Sequence, residues 1–392
     1  MEHINLIFLR SSLNNENNHY LDIEKDNFIK FLLNNGFIID ELGTLVFYIE
    51  TGGTEEQFKQ IYNNFKEPYY FIATDHSNSL PASLEILTFL HNKNKIGKII
   101  HGDNLTILSS LKTLNDIAKI APFTHSLGVN NILMNKRYGV IGKPSDWLIS
   151  SEVNYQEVQD IFGCKLIDID DDEISKFISS YHILLNKKDN VSLLSNLILM
   201  ALKDIVSKYK LDGLTIRCFD LLSKHRATSC FALAKLNEEG IIATCEGDIP
   251  SLLSMAVIKQ INHSSSFQAN PSYIDINNNE LFLAHCTIPL NMVDSYKITT
   301  HFESGIGDAV KGELPLKDIC IFKIHPNLKQ FFFINGTIIE NLHSNCLCRT
   351  QIRIKTTQEI ASLLDYPYAN HLIMYYPKSD INLVNELTKE KI

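Results

Sequence analysis

The pattern of apolar segments changes once along this chain, near residue 263, and that change limits the folds open to it more than any other feature. Before it, short apolar runs alternate with longer amphipathic ones. Ile4–Leu9, Thr44–Ile49, Tyr69–Ala73 and Lys98–His101 have the length and side-chain types of buried strands. Helix-period stretches lie near 22–34, 54–65, 81–93 and 103–120. The rhythm restarts around Pro122–Gly128, with strands at Tyr138–Ile141, Leu166–Ile169, Gly213–Arg217 and Ile241–Cys245 and long helices at 190–209 and 227–238. Strands alternating with helices predict parallel sheets covered on both faces. Beyond 263, strand-like runs dominate: Leu281–Cys286, Tyr296–His301, Ile319–Ile324, Gln330–Ile334 and Thr350–Lys355, with one closing helix at 380–391. Asn-rich stretches such as Asn14–Asn18 are expected as loops.

The expected fold class is α/β, with two doubly wound Rossmann-like parallel-sheet domains at 1–122 and 123–262. A mainly antiparallel, β-barrel-like C-terminal domain follows at 263–392. A length of 392 residues suits two or three such units at roughly 150 residues each. The net charge is −9 and the Lys and Arg are scattered, so a phosphate backbone would be repelled and nucleic-acid binding is not expected. No apolar run approaches the ~20 residues of a membrane span. The first apolar run is too short for a signal-peptide core and is expected as a strand. Eight cysteines without regular spacing, mostly inside apolar segments, favour reduced thiols and a cytoplasmic location.

Cys245-Glu246-Gly247-Asp248-Ile249-Pro250 falls where a strand gives way to a helix, the end of an α/β sheet at which ligands gather. Helix capping explains Asp248 there, with Pro250 in the first turn, but leaves Glu246 unexplained. His285 closes one strand and His371 opens another; neither is diagnostic by itself. Cys245 and Cys286 adjoin these positions and are expected to turn into the core, since neighbours on a strand face opposite ways. Cys346 and Cys348 form a C-x-C pair with no partner pair, so structural thiols are favoured over a closed zinc site. Thr51-Gly52-Gly53-Thr54 is a tight strand-to-helix turn with Thr54 as N-cap; it has neither dinucleotide nor Walker spacing, so no nucleotide cofactor is expected. Trp147 is the sole Trp, suited to stacking on a sugar or to packing. His301 and Glu303, at a strand end, are candidates to line a pocket, and Arg349 to meet a sugar oxygen.

Several of these segments together resemble the L-fucose isomerase/L-arabinose isomerase superfamily. They are IRCFDLL (216–222), SCFALAKLNEEGIIATCEGDIP (229–250), SFQANPSYID (266–275), LFLAHCTIP (281–289), HFESGIG (301–307), CRTQ (348–351) and NHLIMYYPKSD (370–380). YIETGGTEEQF (48–58) and DHSNSLPAS (75–83) are similar to the family's first domain. The resemblance implies an aldose–ketose isomerase acting on a free pentose, deoxyhexose or modified hexose through an enediolate. It implies Mn²⁺, or Mg²⁺ or Co²⁺, held by Glu246, His285 and His371, with Glu246 also a candidate base. It further implies a homo-oligomer with sites near subunit interfaces, Asp75, His76 and Thr51–Thr54 reaching a neighbour's substrate. One position departs from the pattern. The family's second carboxylate falls at Ala269 or Asn270, and Asn cannot serve as a base at neutral pH. Glu246 alone, or a stand-in such as Asp248, Asp275 or Glu303, would then do the acid–base work. A lapsed or repurposed sugar-binding relative, or an epimerase, is the alternative.

Overall fold

The computed structural model describes residues 2–11, 18–114, 124–182 and 191–389. Most of the expected Asn14–Asn18 loop, the boundary at 122/123 and the ends of the helices expected at 103–120 and 380–391 lie outside the described residues. The first sheet contains β1 (Glu2–Leu9), β2 (Phe37–Ile39), β3 (Thr44–Ile49), β4 (Tyr69–Ala73) and β5 (Gly97–His101), in the order β2-β1-β3-β4-β5 and wholly parallel. Every residue of β4 is buried, which is why it appears as an unbroken apolar run rather than an alternating one. β6 (His125–Ser126) joins the third sheet. The second sheet is again parallel: β7 (Arg137–Ile141), β8 (Lys165–Ile169), β9 (Gly213–Ile216) and β10 (Ile242–Cys245), ordered β10-β9-β7-β8.

The remaining strands are β11 (Ser266–Asp275), β12 (Glu280–His285), β13 (Ser295–Thr299), β14 (Ala309–Glu313), β15 (Asp318–Ile324), β16 (Gln330–Asn341), β17 (Thr350–Thr356) and β18 (Leu372–Tyr375). β13 and β14 pair as a separate ribbon. The other six run β15-β18-β11-β12-β17-β16 and close through β15–β16 into an antiparallel barrel, with β6 paired to the start of β16. The expected mixed architecture is therefore present. Two helices weld the layers together. Ser79–Asn92 packs on β3, β4 and β5 and also on β11, and Ile249–Asn262 packs on β9 and β10 and also on β11, β15 and β18.

Local differences have local causes. The strand expected to stop at Ile334 continues to Asn341 because Gly336, a turn signal in sequence, lies against β17; a Cβ there would meet the Lys355 carbonyl oxygen at 2.9 Å. The strand expected to reach His301 stops at Thr299, and the last helix spans only Leu383–Thr388. The short helices Tyr155–Phe162 and Asp172–His182 were not expected from the pattern.

Barrel register then fixes the site. Asn270 lies opposite Ala284, one residue before His285, and Ala269 lies opposite Leu372, one residue after His371. Asn270, His285 and His371 thus meet at one end of the barrel, facing the carboxyl end of β10.

Candidate metal centre and its cavity

Glu246 sits in a strained turn just after β10. Its φ is 65° and that of Gly247 is 72°. Only glycine fits the second position, because a Cβ would come within 2.5 Å of the Lys143 carbonyl oxygen. A non-glycine residue held at positive φ is the kind of strain that functional sites retain to aim a side chain. The turn is pinned by Gly247 N–H donating to the Ile216 carbonyl and Ser145 N–H to that of Glu246, each at 3.0 Å.

The aim is onto two imidazoles. His371 Nε2 and His285 Nε2 lie 3.4 and 3.9 Å from Glu246 Oε1. Each ring is oriented from behind: His285 Nδ1 meets Thr287 Oγ1, and His371 Nδ1 meets Asp248 Oδ2, both at 2.8 Å. Such outer partners select the tautomer that turns Nε2 inward. His371 Nε2 is buried and has no hydrogen-bond partner. The three facing atoms lie within 4.8 Å of one another. An orphaned nitrogen, a second imidazole and a carboxylate converging on one point fit a divalent cation, and two nitrogen donors suit Mn²⁺ or Co²⁺ better than Mg²⁺.

Burial opposes charge on Glu246, yet the charge of His371 and the close approach of both rings hold its carboxyl well below the usual carboxylate range. Burial alone would depress His371, but Glu246 and Asp248 raise it to about 9. Burial lowers His285.

Asp248, a candidate catalytic group in sequence, does not line the cavity. It caps Ile249–Asn262 by accepting Ser251 N–H at 2.8 Å, and it also meets the Ser251 hydroxyl, His371 and Lys323 Nζ, the last at 3.2 Å. Both charged side chains are fully buried. The capping explanation thus holds, with a second task of holding His371. Asp275 is likewise away from the cavity, occupied by the backbone and side chain of Asn278.

A cavity of about 530 Å³ opens beside the three facing groups, bordered by Glu246 and His285, with His371 buried behind them. Asn270 borders it; its amide N–H donates to the Asn370 carbonyl at 3.3 Å, which leaves the side-chain carbonyl oxygen for a ligand. Trp147 donates its indole N–H to Glu246 Oε2 at 2.7 Å and packs edge-on to Phe219, so its polar tip serves the carboxylate. Trp147→Phe removes a hydrogen bond to a charged acceptor, worth about 1.5–3 kcal/mol. Turnover at saturating substrate should fall roughly tenfold or more, and an unchanged kcat would deny Trp147 this part.

Glu303 borders the cavity and accepts a hydrogen bond from the Asn78 amide at 2.6 Å. Desolvation and the charge of Glu246 push its carboxyl up to about 7, against the Asn78 hydrogen bond that lowers it. His301 also borders the cavity, and burial lowers it to about 4. Arg349 instead holds the loop, donating to the Thr300 carbonyl at 2.5 Å. Asp75 and His76 line a separate depression with Tyr20 and Glu24. Gly52 and Gly53, expected to reach a neighbouring subunit, border this cavity within the same chain, and Thr54 bonds back to the Thr51 carbonyl rather than capping its helix.

Two buried carboxyls escaped the sequence reasoning. Glu55 borders the cavity with one oxygen unpartnered, and burial raises its carboxyl well above the ordinary range. Glu85 accepts from the backbone N–H of Ser150 at 2.7 Å and of Asn370 at 3.2 Å, tying the segment before His371 to the helix Ser79–Asn92. Glu55 had the signature of a first-turn acid, and Glu85 lay within an apolar helix; only tertiary contacts separate them from surface residues.

No family model matches the chain. Two curated sugar-isomerase sequences illustrate what it is similar to. It is 24% identical over 165 residues to a sulfoquinovose isomerase of Alkalicoccus urumqiensis, covering 38% of this chain and 37% of that protein. It is 20% identical over 185 residues to the sulfoquinovose isomerase of Priestia megaterium (strain ATCC 12872 / QMB1551), covering 45% of this chain and 42% of the relative. The match therefore spans about two fifths of the relatives' length. Among the described residues no helix is long and apolar enough to cross a membrane.

Proposed function

We propose that this protein is an aldose–ketose isomerase acting on an open-chain sugar in the cavity bordered by Glu246 and His285. The observation that carries the proposal is the convergence of His285 Nε2, an orphaned His371 Nε2 and Glu246 Oε1 beside that cavity. The named activity of the two relatives supports it. A divalent cation held by these three groups would polarise the sugar carbonyl and stabilise developing negative charge.

In the reaction a proton leaves C2 and one is delivered to C1, while a proton passes from the C2 oxygen to the C1 oxygen. C2 is oxidised and C1 reduced, the electron pair staying within the sugar as an enediolate. Glu246, ionised at neutral pH, takes the C2 proton. Asn270 cannot be the second carboxylate, and Glu303 takes that place from across the cavity. A carboxyl shifted toward neutrality both gives and accepts protons at physiological pH. The cavity lining contains Glu55, Asp220, Glu246 and Glu303 and, among the described residues, no Lys or Arg. An uncharged pentose, deoxyhexose or hexose therefore suits it better than a sulfonated one.

Glu303→Gln should lower kcat by about 10²-fold and remove a titration limb near neutrality from the pH profile, since only the carboxyl form exchanges protons there. A panel of L-fucose, D-arabinose, L-arabinose and sulfonated or deoxy hexoses, assayed for ketose with Mn²⁺ present, tests the function. Ketose from an uncharged sugar is expected. Binding without turnover of any of them would favour a lapsed relative, the reading that Asn270 itself supports.

A further inference from the structure

Five of the eight cysteines border the cavity, and three of them cluster on the wall away from the Glu246 centre. Cys230 opens the helix Cys230–Glu238, Cys286 follows β12, and Cys348 precedes β17. The three share one small packed cluster, and Cys230 Sγ and Cys286 Sγ are 3.1 Å apart. Cys348 packs in the same cluster beside this pair. A ring nitrogen of His301 lies within 4.8 Å of both Cys230 Sγ and Cys286 Sγ. His301 Nδ1 is turned to Ser304 Oγ at 3.1 Å, which leaves Nε2 as its free nitrogen. All four side chains are buried or nearly so, at 2, 3, 9 and 8% exposure for Cys230, Cys286, Cys348 and His301. Cys348, which lacked a partner pair in sequence, gains one through the fold.

We infer that Cys230, Cys286 and His301, with Cys348 drawn in from the same cluster as fourth ligand, form a site for a thiophilic divalent cation, Zn²⁺, distinct from the Glu246 centre. Three sulfurs and one imidazole are a recurrent donor set for closed tetrahedral zinc. Zn–S bonds of about 2.3 Å set ligand sulfurs roughly 3.8 Å apart, so the Cys230–Cys286 pair must open slightly. Cys230 sits where the helix macrodipole favours negative charge on its sulfur. Binding converts the three thiols to thiolates, releasing their protons to water. The ion would tie the loop carrying His301 and Glu303 to a helix and to two barrel strands, fixing the cavity wall on which Glu303 stands. This inference stands whether or not the chain is an isomerase.

Cobalt distinguishes the two centres, because only the cysteine site can give a thiolate-to-Co²⁺ charge-transfer band. The test is a Co²⁺ titration of the full chain, reduced and stripped by chelator, followed by near-ultraviolet and visible absorption. One equivalent of Co²⁺ should give the charge-transfer band with intense tetrahedral ligand-field absorption, and one equivalent of Zn²⁺ should bleach it. The band should persist in His371→Ala and be lost in Cys286→Ser and in the milder Cys348→Ser. No charge-transfer band from the wild-type chain overturns the inference. So does a band that survives both cysteine substitutions, or two thiols that oxidise to a disulfide while no metal is taken up.

Discussion

Glu246→Gln is expected to abolish ketose formation, lowering kcat by about 10³-fold or more while the protein stays folded. Two losses coincide. The carboxylate facing both imidazole Nε2 atoms becomes a neutral amide, a weaker donor to any cation there, and the group that takes the C2 proton disappears. The change is nearly isosteric. The amide oxygen still accepts from Trp147, and the turn still rests on Gly247 and its bonds to Ile216 and Ser145. Circular dichroism and thermal melting should therefore match the wild type. Turnover retained within a few-fold would remove Glu246 as the base.

Lys323→Met should have the largest effect on stability, about 3–5 kcal/mol, because removing one partner strands the other charge in the interior. Lys323 and Asp248 are both fully buried at 3.2 Å, and Lys323 also donates to Ser251 Oγ at 2.6 Å. Burial opposes charge on Asp248, but Lys323 and then His371 hold its carboxyl below the usual range. A carboxyl depressed by folding contributes stability above its unfolded pKa, near 3.9, and loses it as pH falls through the folded value. Without Lys323 the folded value rises toward the unfolded one, so the stability that acid removes through this carboxyl shrinks. Urea midpoints at pH 7 and pH 3 measure both effects. Pairing the change with Asp248→Asn should restore part of the loss, because no unpaired charge is then left buried. A midpoint shift worth under about 1 kcal/mol would show that water reaches this pair.

The architecture was legible because its signals are local. β3 and β4 match their expected bounds, and the shift to strand-rich sequence near 263 marks the barrel. Of the candidate site, Glu246 stood out in the sequence because capping, which the structure bears out for Asp248, left Glu246 over. His285 and His371 carry no local signal; barrel register alone brings them together. Asp75 and His76, which the resemblance implied as substrate contacts, open onto a different depression. Glu55, Glu85 and the Cys230–Cys286–Cys348 cluster are products of long-range packing, which spacing along a chain does not encode.

Manganese stoichiometry tests the central claim most directly. Protein stripped by chelator and titrated with Mn²⁺, with free ion followed by electron paramagnetic resonance, should bind one ion per chain. His371→Ala should lose that binding while remaining folded. No bound Mn²⁺ in the wild type, or binding that His371→Ala leaves unchanged, would contradict a metal centre at Glu246, His285 and His371.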